Sequence, residues 1–295
     1  MNFNINFFKY KYPAFLLSIA LIGFSISLFF YKNLNLGIDF KGGIMVEAKF
    51  SDTPDLGSLR SKIDSLNIGN SEIQEFGESN TILIRLEKAD DDNLTQEAII
   101  AKLKDNLADD TDYRRVEFVG PKVGNELKIV AFKAILFSLL AMFVYIWFRF
   151  SGWQFGLGAL IALFHDVIST IGFFSLSQIE FNLASIAAIL TIAGYSINDT
   201  VVVFDRIREN LIKSDKKLHE LLNISINQTL SRTLMTSITT LLALIALFVF
   251  GGEVVKGFVS AMIWGVLIGT YSSIFIASPL IILFGFKQNQ TKSDS

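Results

Sequence analysis

Six long apolar stretches interrupt an otherwise mixed pattern of hydrophobic and polar positions along the chain. A helix needs about 20 mostly apolar residues to cross the hydrocarbon core of a bilayer, and each stretch is close to or above that length. They cover residues 13–31, 129–148, 153–176, 183–204, 230–250 and 258–284. The pattern therefore predicts a polytopic α-helical membrane protein with six transmembrane helices and a large insert between the first and the second.

The insert, residues 32–128, carries the shorter periods of a small α+β domain. Apolar and polar residues alternate at 44–50 and 82–86, as in half-buried strands, and weaker strand patterns lie at SEIQEF and YRRVEFV. Apolar residues step by three and four after TPD and after DDNLTQE, which predicts two helices. With the turn GESN, the order is β-α-β-β-α-β, so the sequence predicts a ferredoxin-like domain.

Composition agrees with a membrane protein and narrows the chemistry. Hydrophobic residues make up 51% of the 295 positions, charged residues make up 18%, and the mean hydropathy is +0.47. The chain has no cysteine, which excludes a disulfide framework and any thiolate metal or redox site. The net charge of -2 gives no indication of a nucleic-acid partner.

Basic residues in the short connecting segments predict the orientation of the spans, because cytoplasmic loops are enriched in lysine and arginine. With a cytoplasmic N-terminus, the inner side holds Lys9, Lys11, Arg149, Arg206, Arg208, Lys213, Lys216, Lys217, Lys287 and Lys292. The short outer segments hold only Lys256. Both termini are therefore predicted to be cytoplasmic. The first span has no small-residue cleavage site after it, so we expect it to be a retained signal anchor.

These features divide the chain into four parts. Residues 1–31 are the cytoplasmic N-terminus and first span, 32–128 the extracytoplasmic domain, 129–286 the other five spans, and 287–295 a polar cytoplasmic tail. The insert holds 13 basic and 19 acidic residues, and this acidic balance suits a translocated domain. We expect the loop 206–228 to contain either a short helix on the inner membrane surface or a solvated connecting helix.

Five ionisable residues fall inside the predicted spans, where each needs a partner or a function: Lys133, His165, Asp166, Asp199 and Arg232. Lys133 lies near the outer end of its span and can extend its amine to the headgroups. Asp199 lies about 10 Å below the inner boundary at 1.5 Å per residue, too deep for a short side chain to reach the surface. A carboxyl there is suited to binding and releasing a proton, and a packing role is the alternative.

Arg232 opens the fifth span in LSRTLMTSITT and shares a helix face with Thr236, Thr239 and Thr240. The fourth span ends at the inner surface where the fifth begins, so Asp199 and Arg232 lie in the same half of the membrane. We expect them to form a proton-coupling pair, either directly or through water. An arginine that merely reaches the interface is the alternative.

His165 and Asp166 lie near the middle of the third span, flanked by small and hydroxyl residues. A proton relay and a structural polar cluster are both open for this pair and for Tyr195, Asn198 and Thr236. A metal site is excluded, since the second histidine, His219, lies outside the membrane. The contexts LFHD and SIND do not match intramembrane aspartyl proteases, and no hydrolytic or nucleotide-binding motif is present, so no enzymatic activity is predicted.

Two glycine patterns predict close backbone approach. Gly265 and Gly269 form a GxxxG in the last span, which suits close contact between helices. GIDFKGG, residues 37–43, is expected to make a tight chain reversal between the first span and the first strand.

Six segments, taken in order, resemble the SecF family, the smaller membrane subunits of bacterial SecD–SecF protein-export complexes. They are GIDFKGG, VGPKVGNEL, FHDVISTIGFFS, GYSINDTVVVFDRIREN, NQTLSRTLMTSITT and FGG. The likeness includes the arrangement of one span, an exported domain and five spans. Lys41 departs from the small hydroxyl residue frequent in relatives, and residues 51–111 carry no motif that matches.

The resemblance implies a resistance-nodulation-division superfamily fold that works with a separate SecD in the bacterial inner membrane. It implies the SecYEG channel, the SecA motor, YajC, YidC and exported polypeptides as partners, and no cofactor. The implied activity uses the proton motive force to promote protein export, and by position Asp199 and Arg232 match the family's transport-linked aspartate and arginine. A proton-coupled exporter of lipids or small molecules and a non-energised translocon scaffold are the alternatives.

Overall fold

The computed structural model describes residues 4–86, 95–107, 110–150, 152–214 and 216–286. The chain forms two compact units, one made of Met1–Asn35 and Lys133–Ser295 and the other of Leu36–Phe132. The predicted tail, 287–295, and the DDNL part of the predicted helix start, 91–94, lie outside the described residues. The four-part division at residues 31, 128 and 286 stays a prediction.

Helices and strands follow one another from a 3₁₀ turn (Phe7–Tyr10) to the last helix. They are α1 (Lys11–Lys32), α2 (Ile38–Lys41), β1 (Gly43–Lys49), α3 (Leu56–Asp64), β2 (Ser71–Phe76), β3 (Glu78–Leu86), α4 (Gln96–Asn106), β4 (Asp112–Val119), α5 (Pro121–Phe150), α6 (Trp153–Ser177), α7 (Leu183–Lys213), α8 (Leu218–Phe250), α9 (Glu253–Ser272), a π turn (Ser273–Ala277) and α10 (Ser278–Leu283). Among the residues that the structure describes, six helical segments are long and apolar enough to cross a membrane, which confirms the predicted six-helix architecture.

The connection between α7 and α8 differs from the expected one. The structure continues α7 to Lys213 and begins α8 at Leu218, so the expected separate helix within 206–228 is wrong. Leu221 and Leu222 are buried, and no proline or glycine separates them from the apolar part of α8. Because no helix-breaking residue lies in this segment, α8 continues through it into the membrane span.

Helices α6, α7 and α9 form the interior of the first unit. The most apolar stretches of these three helices are 61%, 50% and 61% buried, whereas those of α1, α5 and α8 are each 17% buried. Phenylalanines pack near one end of the bundle, where the Phe155 ring lies 5.4 Å from Phe150 and 5.1 Å from Phe204. The polar residues of the third and fourth spans are thus carried by the most enclosed helices.

Helices α7 and α9 approach each other closely because α9 presents glycines to α7. A Cβ atom placed on Gly265 would lie 2.3 Å from Cγ1 of Ile192, and one on Gly269 would lie 3.0 Å from Cβ of Ser196. Neither site has space for a larger side chain without a shift of α7. The close helix contact predicted from the GxxxG pattern is therefore present.

The second unit is built on a four-stranded antiparallel sheet in the order β2-β3-β1-β4. Ile44 pairs with Leu86 and Val46 with Ile84, and the register between β1 and β4 shifts between Glu47 and Ala48. Leaving α2 aside, the described elements occur in the predicted order β-α-β-β-α-β. Ferredoxin-like stays our interpretation of this topology.

Strand β1 is buried on both of its faces, whereas the alternation in the sequence predicted a half-buried strand. On one face, Val46 and Ala48 belong to the core formed with α3 and α4. On the other face, Met45 packs with Leu83 and Ile38 in a smaller apolar cluster. The sequence prediction was wrong here because Ile38 comes from outside the alternating pattern.

Local hydrogen bonds fix the ends of the helices in this unit. Asp55 caps α3 by accepting the backbone N–H of Ser58 at 2.8 Å, and Thr95 caps α4 by accepting that of Ala98 at 3.3 Å. The N–H of Ser58 holds the pKa of Asp55 below its ordinary value, since the bond favours the charged carboxylate. Both caps fall in the segments that the sequence marked as helix starts.

The GIDFKGG segment forms α2 and a reversal that glycine makes possible. Gly42 and Gly43 have φ angles of 78° and 121°, which other residues rarely adopt. A Cβ atom on Gly42 would also lie 3.0 Å from Cα of Pro121. The tight chain reversal predicted before the first strand is therefore present.

Candidate functional site

Helix α7 carries the polar residues of the fourth span on a continuous frame. It begins with a capping box, in which Asn182 accepts the Ser185 N–H and Ser185 Oγ accepts the Asn182 N–H, both at 3.2 Å. No proline interrupts the helix between this cap and Lys213. Asp199 consequently lies in the middle of a long regular helix.

The Asp199 side chain is buried and makes few polar contacts. The residue is 3% exposed, and its Oδ2 atom has no hydrogen-bond partner within the described parts of the chain. Buried carboxylates ordinarily accept several hydrogen bonds, because a charge without partners is costly in a low dielectric. This arrangement favours a carboxyl group that can carry a proton.

Arg232 on α8 lies near enough for its charge to act on Asp199, but the two side chains do not form a direct ion pair. Within the described residues, no nitrogen of Arg232 lies within 4.0 Å of an Asp199 oxygen. The Arg232 side chain is exposed and the Asp199 side chain is buried. The described residues therefore do not contain the direct form of the expected pair, and coupling through water stays a prediction.

Polar residues also line an open surface of α7 and α8, which we call the α7–α8 polar face. Its members are Thr191, Asn198, Arg232, Thr236 and Thr239, of which Thr236 is half-buried and the others are exposed. Thr191, Thr236 and Thr239 donate to carbonyls of their own helices at 2.8 to 2.9 Å. Those hydroxyls have partners on their own helices, whereas the guanidinium of Arg232 has no hydrogen-bond or ion-pair partner among the residues that the structure describes.

Tyr195 links three helices through hydroxyl groups. Its hydroxyl donates to Ser237 Oγ at 3.3 Å, and Ser237 Oγ lies 2.7 Å from Thr270 Oγ1 on α9. Thr236 does not belong to this set, because its hydroxyl donates to the Arg232 carbonyl. The five residues left open in the sequence are therefore not one cluster.

His165 and Asp166 form the second polar centre, in the interior of α6. The residues are 1% and 0% exposed, and His165 Nδ1 lies 3.0 Å from Asp166 Oδ1. Asp166 Oδ2 accepts the hydroxyls of Ser196 at 2.6 Å and Ser272 at 2.7 Å. Asp166 therefore has the several donors that Asp199 lacks.

Three hydroxyl residues of this region were not identified from the sequence: Thr200, Ser272 and Ser273. Thr200 Oγ1 lies 2.9 Å from Ser273 Oγ, and Ser273 Oγ lies 3.2 Å from the Ser196 carbonyl. The only signal for them is the pair of adjacent serines inside an apolar span and a threonine next to Asp199. Spacing along one helix does not reveal which partner helix those hydroxyls meet.

The described residues contain no group of three or more histidine, aspartate or glutamate side chains placed to hold a metal ion. Asp166 contacts one imidazole and two hydroxyls. Both centres hold groups that can bind protons and form hydrogen bonds.

Comparison with known proteins places these features in a family context. A family model described as protein export membrane protein SecD/SecF, C-terminal, matches residues 99–287. A second, described as the SecD/SecF GG motif, matches residues 32–54, which include GIDFKGG.

Relatives of similar length carry the name protein translocase subunit SecF. That of Rickettsia bellii (strain OSU 85-389) is 48% identical over 287 residues, which cover 96% of this chain and 93% of the relative. That of Rickettsia felis is 48% identical over 291 residues, which cover 98% of this chain and 93% of the relative.

Solved structures of SecDF chains are also similar. SecDF of Thermus thermophilus, described as a translocon-associated membrane protein, matches with a TM-score of 0.86 and 35% identity over 96% of this chain. A SecDF structure in a super-membrane-facing form matches with a TM-score of 0.70 and 34% identity over the whole chain. This chain spans only 39% and 40% of those two longer chains.

Proposed function

The chain belongs to the SecD/SecF family of protein export membrane proteins, and from this premise we propose how its buried carboxyl group serves protein export. It is a multi-pass protein translocase subunit of the SecF type that works with SecD. We propose that it uses the proton motive force, with Asp199 as the proton-binding group and Arg232 as the opposing charge. In this proposal the protein lies in the bacterial inner membrane, with both termini cytoplasmic and residues 32–128 outside.

One observation carries the proposal: Asp199 is buried in the middle of α7 while its Oδ2 atom lacks a hydrogen-bond partner in the described chain. Burial without partners disfavours a permanent charge, so the group is suited to a neutral state that loses its proton when its surroundings change. A purely structural aspartate would gain more from a set of donors such as Asp166 has.

The available energy is sufficient for a conformational switch. One elementary charge moving through about 100 mV yields about 2.3 kcal/mol, which shifts a two-state equilibrium nearly fiftyfold. Protonation of Asp199 would remove its attraction to Arg232 and change how α7 packs against α8. We propose that this change is passed to the extracytoplasmic domain and assists the movement of the exported polypeptide.

The α7–α8 polar face supports SecD as the partner that covers this side of the bundle. An arginine without a polar partner is costly in a lipid environment, so charged groups seldom face lipid. Arg232 and Asn198 are exposed in the chain alone. We propose that SecD helices cover them and supply polar partners.

The further partners are proposals that rest on the family. The SecYEG channel and the SecA motor would deliver the exported polypeptide, and YajC and YidC would join the same assembly. Relatives are named as translocase subunits, which points to a role without catalysis. We accordingly propose that the chain binds protons and polypeptide and performs no covalent chemistry.

The proposal is tested by replacing Asp199 with Asn, which keeps the shape of the side chain and removes its ability to ionise. Release of a preprotein from membrane vesicles containing the complete export machinery is measured with and without a proton gradient. We expect Asp199→Asn to abolish the gradient-dependent part of release and to leave ATP-driven translocation unchanged.

Asp205→Asn is the matched control, because Asp205 lies on the same helix but forms a half-exposed ion pair with Arg149 at 2.7 Å. This variant should retain gradient-dependent release, since surface ion pairs contribute little. Unchanged gradient dependence in Asp199→Asn would contradict the proposal.

A further inference from the structure

The Oδ2 atom of Asp199 makes no hydrogen bond within the described chain. The position of the residue therefore depends on contacts made by its neighbours on α7. Ser196 lies one turn before it and Thr200 directly after it, and both are 1% exposed. Each of these two residues makes a side-chain hydrogen bond to another helical segment. Hydrogen bonds therefore hold α7 on both sides of Asp199, while the Oδ2 atom of Asp199 makes none within the described chain.

Asp166 provides the first fixed point. Its Oδ2 atom accepts the Ser196 hydroxyl at 2.6 Å and the Ser272 hydroxyl at 2.7 Å, so one carboxylate oxygen joins α6, α7 and α9. Its Oδ1 atom lies 3.0 Å from His165 Nδ1, which adds a third polar contact. Hydrogen bonds between buried groups are strengthened by the low local dielectric and by their connection into a network.

Ser273 provides the second fixed point. Its hydroxyl oxygen lies 2.9 Å from the Gly269 carbonyl and 3.2 Å from the Ser196 carbonyl. It also lies 2.9 Å from Thr200 Oγ1, and either hydroxyl can be the donor of that bond. Ser273 thus contacts α7 on both sides of Asp199, at Ser196 and at Thr200.

Ser273 also begins the π turn Ser273–Ala277, which directly follows the α9 residue bonded to Asp166. In a π turn the backbone pairs with a longer spacing than in an α-helix, and such turns occur often at functional sites. Ser278 Oγ donates to the Ser273 carbonyl at 3.0 Å, which satisfies an acceptor where the spacing changes. The most irregular part of the last span therefore lies directly against the Asp199 segment of α7.

We propose that Asp166, Ser196, Thr200, Ser272 and Ser273 form a hydroxyl–carboxylate clamp that positions Asp199 for proton binding and couples it to the π turn. These are positioning residues, since none of them takes up the transported proton. Protonation of Asp199 would shift α7 at Ser196 and Thr200, and the hydrogen bonds of the clamp would transmit that shift to α9. The proposal rests on the proposed function, because it describes how the same carboxyl is held.

Ser273→Ala removes the contacts to both sides of Asp199 with the loss of one oxygen atom. Ser175→Ala is the matched control, because Ser175 is fully buried and its hydroxyl has no hydrogen-bond partner in the described parts of the chain. Ser273→Thr keeps the hydroxyl and serves as the rescue variant. All three are assembled with SecD and the translocon in vesicles, and gradient-driven preprotein release is recorded as a function of the pH on the proton-donating side.

We expect Ser273→Ala to need an about two- to tenfold higher proton concentration for half-maximal release. This factor corresponds to the free energy of one hydrogen bond. The reason is that a looser α7 segment admits water beside Asp199, which stabilises the charged carboxylate. Ser175→Ala should follow the wild-type profile, and Ser273→Thr should return to it. A general loss of stability would reduce the amount of release without moving its half-maximal pH.

If Ser273→Ala fails to assemble, Thr200→Val carries the test, since it is nearly isosteric and removes one hydroxyl of the clamp. Profiles that coincide with wild type in Ser273→Ala or in Thr200→Val, while Asp199→Asn is inactive, would overturn the clamp and leave the proposed function standing. Full gradient-dependent release by Asp199→Asn would overturn the proposed function and the clamp together.

Discussion

Two aspartates in the interior of the bundle have opposite hydrogen-bonding environments. Asp166 accepts two hydroxyl groups and contacts an imidazole, whereas Oδ2 of Asp199 has no partner in the described chain. Their neighbourhoods in the sequence, LFHD and SIND, gave no basis for this distinction, because the donors to Asp166 come from α7 and α9. The sequence could identify both carboxyls as unusual but could not assign them different tasks.

Asp166→Asn and Asp199→Asn should therefore differ in their effect on stability. We expect Asp166→Asn to lower the free energy of unfolding by about 1 to 3 kcal/mol, the cost of leaving buried hydrogen-bonding groups without matching partners. Asp199→Asn should change it little, since few native hydrogen bonds are lost and a costly buried carboxyl is removed. Thermal unfolding of the purified chain in one detergent measures both. Equal destabilisation by the two variants would refute this division of roles.

Helices and strands were predicted correctly where composition and periodicity determine them. The features that depend on contacts between distant segments were not. The number of spans follows from hydropathy, and the order of strands and helices in the insert follows from periodicity. The burial of both faces of β1 depends on Ile38, and the π turn after α9 lies among hydroxyl contacts to α7. Neither feature has a signature within its own segment.

The contact between α7 and α9 is the element-level feature most sensitive to a single methyl group. We expect Gly265→Ala to destabilise the chain by about 1 to 3 kcal/mol, since the new Cβ would overlap Ile192 and overpacking has that cost. Gly194→Ala on α7 is the control, because a Cβ there would meet nothing within 4 Å. It should be neutral or stabilising by up to about 1 kcal/mol, the helix preference for alanine. Thermal unfolding in detergent distinguishes them, and equal effects would contradict the packing argument.

At the scale of the whole molecule, the chain has an interior of three helices and an open polar surface within the membrane. The α7–α8 polar face has the residues that a lipid environment would exclude, so the chain is built as one part of a larger assembly. The sequence located Arg232 and its threonines on one face, and exposure in the folded chain adds Thr191 and Asn198 to them. The position of SecD on this face stays a proposal.

Cysteine cross-linking tests that position cleanly, because the chain has no native cysteine. Cysteine introduced at Thr191 or Thr239 should cross-link to cysteines introduced in SecD helices in membranes. Cysteine at Val130 or Phe132 on α5, which are also exposed, should not, since no polar group marks that surface as an interface. Cross-links confined to the α5 positions would place SecD on a different face.

If Asp199 is the proton-binding group, as we propose, then proton flux through the complex depends on its carboxyl group. The chain and SecD are reconstituted with the translocon in liposomes that contain a pH-sensitive dye, and a pH step is applied during preprotein translocation. We expect proton flux with the wild-type chain and with Asp205→Asn, and no flux above that of protein-free liposomes with Asp199→Asn. Wild-type flux through Asp199→Asn would contradict it.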